Sequence, residues 1–223
     1  MAAACGAVGL TAGVFLERVV HRVPRKLREG VGDGRVRPIL LAVVAAVLCA
    51  AVGARLGASA ALPAYLYLVL VGVALAAIDV ELHRLPDALT LPSYPVLLVL
   101  LAAASLADGD WGALARAAVG AVGMLVLYFV LMLAAVRFGG FGFGDVKLAG
   151  VLGLALGWLG GAELFLGAVL PFLYGAVVAI AAVVAVRGLG WKSSVPFGPS
   201  MIAAAFTAVL AGEEIVSAYV GLG

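Results

Sequence analysis

Residues 61–78, ALPAYLYLVLVGVALAAI, contain no charge, and the next residue is Asp79. A bilayer's hydrocarbon core is about 30 Å thick and takes about 20 helical residues to cross, so this run reads as a membrane-spanning helix with an acid at its end. Working outward, similar apolar runs occupy 2–16, 38–54, 88–106, 113–136, 146–160, 163–186 and 196–212. Those at 2–16 and 146–160 are short enough to be interfacial or buried in protein instead. Of 223 residues, 65% are hydrophobic and 12% charged, with a mean hydropathy of +1.23. One soluble core cannot hide that much apolar surface. The expected fold is all-α: a polytopic transmembrane bundle of about eight helices, forming one membrane-embedded domain over 1–223 with 17–37 as a basic loop.

The first run has no basic residue before it, so it reads as a retained helix rather than a secretory signal. Orientation follows from Lys and Arg, which stay in cytoplasmic loops. Arg18, Arg22, Arg25, Lys26, Arg28, Arg35 and Arg37 follow the first run and place that loop in the cytoplasm. If every later run spans, 79–87, 137–147 and 187–195 are cytoplasmic too, with Arg84, Arg137, Lys147, Arg187 and Lys192. Arg55, Arg116, Asp108, Asp110, Glu163, Glu213 and Glu214 then fall outside. Topology accounts for the basic cluster, and the net charge is only +2, so the expected partner is a lipid bilayer and not a nucleic acid. Cys5 and Cys49 lie alone in apolar runs and read as packing residues, with no metal or disulfide framework.

Ionisable groups near membrane depth are costly and mark function by default. Three segments qualify. In Ile78-Asp79-Val80-Glu81-Leu82-His83-Arg84-Leu85-Pro86-Asp87, a continuing helix would put Asp79, His83 and Asp87 on one stripe. Pro86 argues against that continuation because it disfavours helical geometry at Leu85. Asp87 then either caps the next helix or touches substrate, and His83 is either a proton carrier or a solvated interfacial residue. In Phe138-Gly139-Gly140-Phe141-Gly142-Phe143-Gly144-Asp145-Val146-Lys147-Leu148, glycines allow close backbone approach beside Asp145, which could alternatively be an ordinary N-cap. In Val195-Pro196-Phe197-Gly198-Pro199-Ser200, two prolines around Gly198 stiffen the start of the last run.

Paired acids on separate helices are explained economically by a shared-proton aspartic dyad. Two carboxyls about 3 Å apart cannot both ionise readily, so one acts as base toward water while the other hydrogen-bonds and protonates the substrate. No metal or cofactor is needed. The chain has neither an HExxH zinc helix nor a GxSxG nucleophile.

Taken together, these motifs resemble the type IV prepilin peptidases, membrane aspartic peptidases of the GxGD class. The similarity lies in Gly9–Leu16 with Val19–Pro24, in Ile78-Asp79 through Leu85-Pro86-Asp87 and Leu89–Pro92, in Gly142-Phe143-Gly144-Asp145, and in Pro196-Phe197-Gly198-Pro199, in that order. The resemblance implies Asp79 and Asp145 as the catalytic dyad, with Gly142, Gly144, Lys147, Asp87, His83, Pro196 and Gly198 in support. Lys147 is the matching lysine of GDxK, serving either as a lipid or substrate contact or as a snorkelling anchor. The implied reaction removes a short basic leader from pilin or pseudopilin precursors at the cytoplasmic face of the inner membrane. Full-length bacterial members carry a cysteine-bearing segment linked to N-methylation, whereas residues 25–37 contain no cysteine. The expectation is therefore a peptidase without methyltransferase activity. A proton-coupled transporter and a non-catalytic scaffold of a pilus or secretion machine are the alternatives.

Overall fold

The computed structural model describes residues 1–21, 38–135, 142–185 and 196–221. Most of the basic loop, the cysteine-free stretch 25–37, the first glycines of the glycine-rich segment and Val195 lie outside these residues. Within them the chain forms eight α-helices and no strand: α1 (Ala2–His21), α2 (Pro38–Leu56), α3 (Leu62–Leu82), α4 (Asp87–Asp108), α5 (Trp111–Ala135), α6 (Phe143–Leu159), α7 (Gly161–Ala185) and α8 (Gly198–Val220). The all-α membrane bundle expected from the apolar runs is the fold observed.

Six of these helices, α2–α5, α7 and α8, are long and apolar enough to cross a membrane. They turn side chains such as Val99, Val119, Val122, Ile180 and Val184 outward, where lipid rather than protein is the natural neighbour. The short run at 146–160 has a different fate. Helix α6 is apolar on all sides, and from Asp145 to Gly157 every residue but Lys147 is buried. A helix hydrophobic around its whole circumference belongs inside a bundle, and α6 packs on α4, α5, α7 and α8.

Lipid is as apolar as leucine, so these helices cannot associate by hiding apolar surface from water and rely on close packing instead. Small residues permit it. A Cβ on Gly9 would lie 2.6 Å from the Ala45 carbonyl oxygen, so α1 and α2 meet backbone to backbone. A Cβ on Gly120 would lie 2.5 Å from the Gly153 carbonyl oxygen and 3.1 Å from the Cα of Gly157, which brings α5 equally close to α6. Buried polar groups fasten the core: the Tyr65 hydroxyl donates to the Ala155 carbonyl at 2.8 Å, and the Trp158 indole N–H donates to the Ser105 hydroxyl at 2.9 Å.

Two ends emerge. Arg55 at the end of α2 meets Glu214 at 3.2 Å and Glu213 at 3.6 Å, near the end of α8. Gly198, the first residue of the same α8, touches Asp79. Fifteen residues or so of helix, roughly 22 Å, separate that contact from the Arg55 cluster. The charge pattern had already put Arg55, Glu213 and Glu214 on one side and Asp79 on the other.

Candidate active site

Asp79 lies in the last turn of α3, which runs to Leu82 and so carries the acid within the helix. There the helix stops. The His83 N–H donates to the Asp79 carbonyl at 2.8 Å while His83 itself turns left-handed (φ 50°, ψ 38°), the only non-glycine residue with positive φ among those described. Pro86 follows in an extended conformation (φ −71°, ψ 130°) and starts α4. The Asp79–His83–Asp87 stripe is therefore broken, as Pro86 requires. His83 is exposed, although it remains within electrostatic reach of Asp79.

Asp79 is 5% exposed, and its Oδ2 accepts the Gly198 N–H at 2.9 Å. The first N–H groups of a helix have no partner inside it, and the helix dipole puts partial positive charge there. Asp79 supplies the missing acceptor from α3. A Cβ on Gly198 would sit 2.7 Å from that same oxygen, so only glycine lets the carboxyl come this close. Pro199 has no N–H to satisfy, and Pro196 precedes the helix, so the two prolines set a helix start of defined direction around the donor.

Asp145 is likewise buried, on α6. It is not the N-cap. Gly142 holds that position, and Asp145 sits three residues on, its Oδ2 accepting the Gly142 N–H at 3.0 Å while its own N–H donates to the Gly142 carbonyl at 3.1 Å. This is the carboxylate arm of a capping box, with glycine where a hydroxyl residue would usually stand. A Cβ on Gly144 would come within 3.0 Å of the Leu85 Cβ, so the first turn of α6 rests directly on the loop between α3 and α4. That contact sets the loop after the Asp79-bearing helix against the first turn of the Asp145-bearing helix.

Two expectations change here. Asp87 is the first residue of α4 and makes no side-chain cap; Pro86 is the capping residue. Its carboxylate instead accepts from the Lys147 ammonium at 2.7 Å. Lys147 is thus engaged with α4 rather than extended toward lipid, and it also lies 4.7 Å from the centre of the Phe143 ring.

Several neighbours escaped the sequence reading. Tyr128 of α5 is fully buried, stacks on Phe172 of α7 with ring centres 5.7 Å apart, lies 6.5 Å from Phe197, and is within electrostatic reach of Asp145. Phe197 immediately precedes Gly198, so this aromatic cluster adjoins the helix start that holds Asp79. A tyrosine inside an apolar run was the available signal, because its hydroxyl needs polar surroundings when buried. Tyr94, inside the apolar run of α4, carried the same signal, whereas Leu85 in the loop between α3 and α4 carried none.

The sequence profile of the type IV leader peptidase family matches residues 66–212, from α3 into α8. The chain belongs to the type IV leader peptidase family. Asp79, Asp87, Asp145, Lys147 and Gly198 all fall inside the family match. The chain is 33% identical over 180 residues to a "Prepilin leader peptidase/N-methyltransferase" of Bacillus subtilis (strain 168), covering 80% of this chain and 67% of that protein. A protein of the same name from Pseudomonas putida is 36% identical over 183 residues, 81% of this chain and 60% of its own length. A third, from Stutzerimonas stutzeri, is 34% identical over 157 residues, 66% of this chain and 49% of its own. The chain thus spans about half to two thirds of the length of these relatives. No solved structure matches it.

Proposed function

We propose that this protein is an aspartic endopeptidase that removes the leader from type IV pilin-like or pseudopilin precursors, with Asp79 and Asp145 as its catalytic pair. One observation supports the assignment: two buried carboxyls, on different helices, each accept a backbone N–H through one oxygen, on segments that meet where Gly144 rests on Leu85. Brought to about 3 Å, such a pair shares one proton between two carboxyls. The carboxylate takes a proton from water as the water oxygen attacks the scissile carbonyl carbon, and the protonated partner hydrogen-bonds the carbonyl oxygen. As the tetrahedral intermediate collapses, the C–N bond breaks and a proton passes from the pair to the departing amine. The Gly198 and Gly142 N–H groups keep the carboxyls oriented throughout.

The family membership and the names of the relatives support a prepilin leader as substrate. The distribution of Lys and Arg supports the cytoplasmic face of the inner membrane as the site of cleavage. Those names also include an N-methyltransferase; for this chain we propose the peptidase alone, since residues 25–37 carry no cysteine. A proton-coupled transporter would call for acids strung along a path through the bundle, whereas these gather at one end.

The test is cleavage in membranes of a precursor bearing a basic leader. Asp79→Asn and Asp145→Asn should each reduce trimming by at least about 100-fold, the size of a general acid–base contribution. Full trimming by either variant would falsify the assignment.

A further inference from the structure

We infer that Asp87 and Lys147 form a positioning pair that sets the relative placement of the two catalytic carboxyls by clamping the first turn of α6 to the start of α4. The inference rests on the Asp79/Asp145 reading and extends it to residues that touch neither acid.

The acids stand on α3 and α6, and their alignment is carried largely by α4 and α8, each of which packs on both helices. Asp79 is tied to α8 through Gly198. The tie on Asp145 is of another kind: Gly142 belongs to the same helix start, so that hydrogen bond fixes the carboxyl relative to α6 but not relative to Asp79. Something else must place the first turn of α6, and three contacts do so. Gly144 rests on Leu85. The Asp87 carboxylate holds the Lys147 ammonium at 2.7 Å, and the Tyr94 hydroxyl donates to the Lys147 backbone carbonyl at 2.7 Å. Two of the three converge on one residue, two positions after Asp145.

Electrostatics makes the pairing specific. A cation near a helix N-terminus opposes the helix dipole, so Lys147 in α6 needs a counter-charge, while an anion at the first position of α4 is favourably placed. The Phe143 ring confines the ammonium from the other side. The Asp87 side chain is 58% exposed, and an ion pair so open to solvent adds little to global stability. Its contribution is geometric, which separates it from a merely structural bond: small misplacements of reacting groups reduce turnover steeply without unfolding anything.

The experiment measures kcat and KM for a leader-bearing pilin precursor with the full chain in membranes. Asp87→Asn and Lys147→Gln should each lower kcat by about 10- to 100-fold, with KM within about twofold of the parent. The double variant should be no worse than the poorer single one, because both remove the same contact. The exchange Asp87→Lys with Lys147→Asp should recover most of the lost turnover. Parental kcat in either single variant, multiplied losses in the double, or a change confined to KM would each overturn the inference. If a single variant fails to accumulate, the exchange decides: restored accumulation and turnover support the pair, and failure of both refutes it. Asp79→Asn and Asp145→Asn, assayed alongside, separate the two claims. Activity in those variants removes the catalytic pair; their inactivity beside normal Asp87 and Lys147 variants removes only the clamp.

Discussion

Asp79 and Gly198 show how one hydrogen bond can do two things. The carboxyl completes the N-terminus of α8, and α8 in return holds the carboxyl in place. Asparagine at 79 keeps an oxygen that can accept the Gly198 N–H but cannot exchange a proton in the same way. Asp79→Asn should therefore keep its helical circular dichroism and melt within a few degrees of the parent while trimming is lost; a collapsed fold would show that the acid is structural. Gly198→Ala tests the other partner. Its Cβ would press on a buried carboxyl at 2.7 Å, and overpacking of this kind costs about 1–3 kcal/mol. We expect a lowered melting temperature in detergent together with a reduced kcat, and an alanine variant matching the parent in both would show that the close approach is dispensable.

Among the helices, α6 is the decisive one. It presents Asp145 at its first turn and then runs through the interior with Gly153 and Gly157 against Gly120 of α5, so its position depends on a seam with no room for side chains. Gly153→Leu would force α5 and α6 apart. Destabilisation of about 3 kcal/mol or more is expected, the upper end for overpacked cores, with trimming lost although every site residue is intact. Thermal unfolding of the purified variant checks the first part and the cleavage assay the second. By contrast, α5 and α7 face lipid along much of their length, and outward residues such as Val122 and Ile180 have no such constraint.

The bundle as a whole separates its chemistry from its other charged ties. The acids gather where α3 ends and α6 and α8 begin, while Arg55, Glu213 and Glu214 join α2 to α8 roughly 22 Å away. Arg55 is partly exposed, and pairs of this type contribute about 0–1 kcal/mol. Arg55→Ala should accordingly shift the melting temperature slightly and leave kcat and KM for the precursor at parental values. A large loss of turnover would mean that the far end of α8 controls the site. A further expectation belongs to the pair of acids acting together. If they share one proton, kcat/KM should trace a bell against pH, falling when both are protonated and again when neither is. A profile with a single limb would point to one working carboxyl.

Composition and order alone were enough for the helices, because a long uncharged apolar run has few stable options other than a helix in lipid or protein. They also drew attention to Asp79 and Asp145, since an acid at the edge of such a run must be accounted for, and Pro86 argued against a helix running on from Asp79 to Asp87; α3 ends at Leu82, before the proline is reached. Tertiary packing decided the rest. Whether 146–160 met lipid or protein depended on how many helices closed around it, which no local pattern records. Gly198 lies 119 residues from Asp79, and Lys147 lies 60 from Asp87. Each of these polar groups had several plausible partners along the chain, and the close approach of small-residue helix faces selected one: the helix dipole of α8 for Asp79, and the counter-charge on α4 for the lysine that follows Asp145.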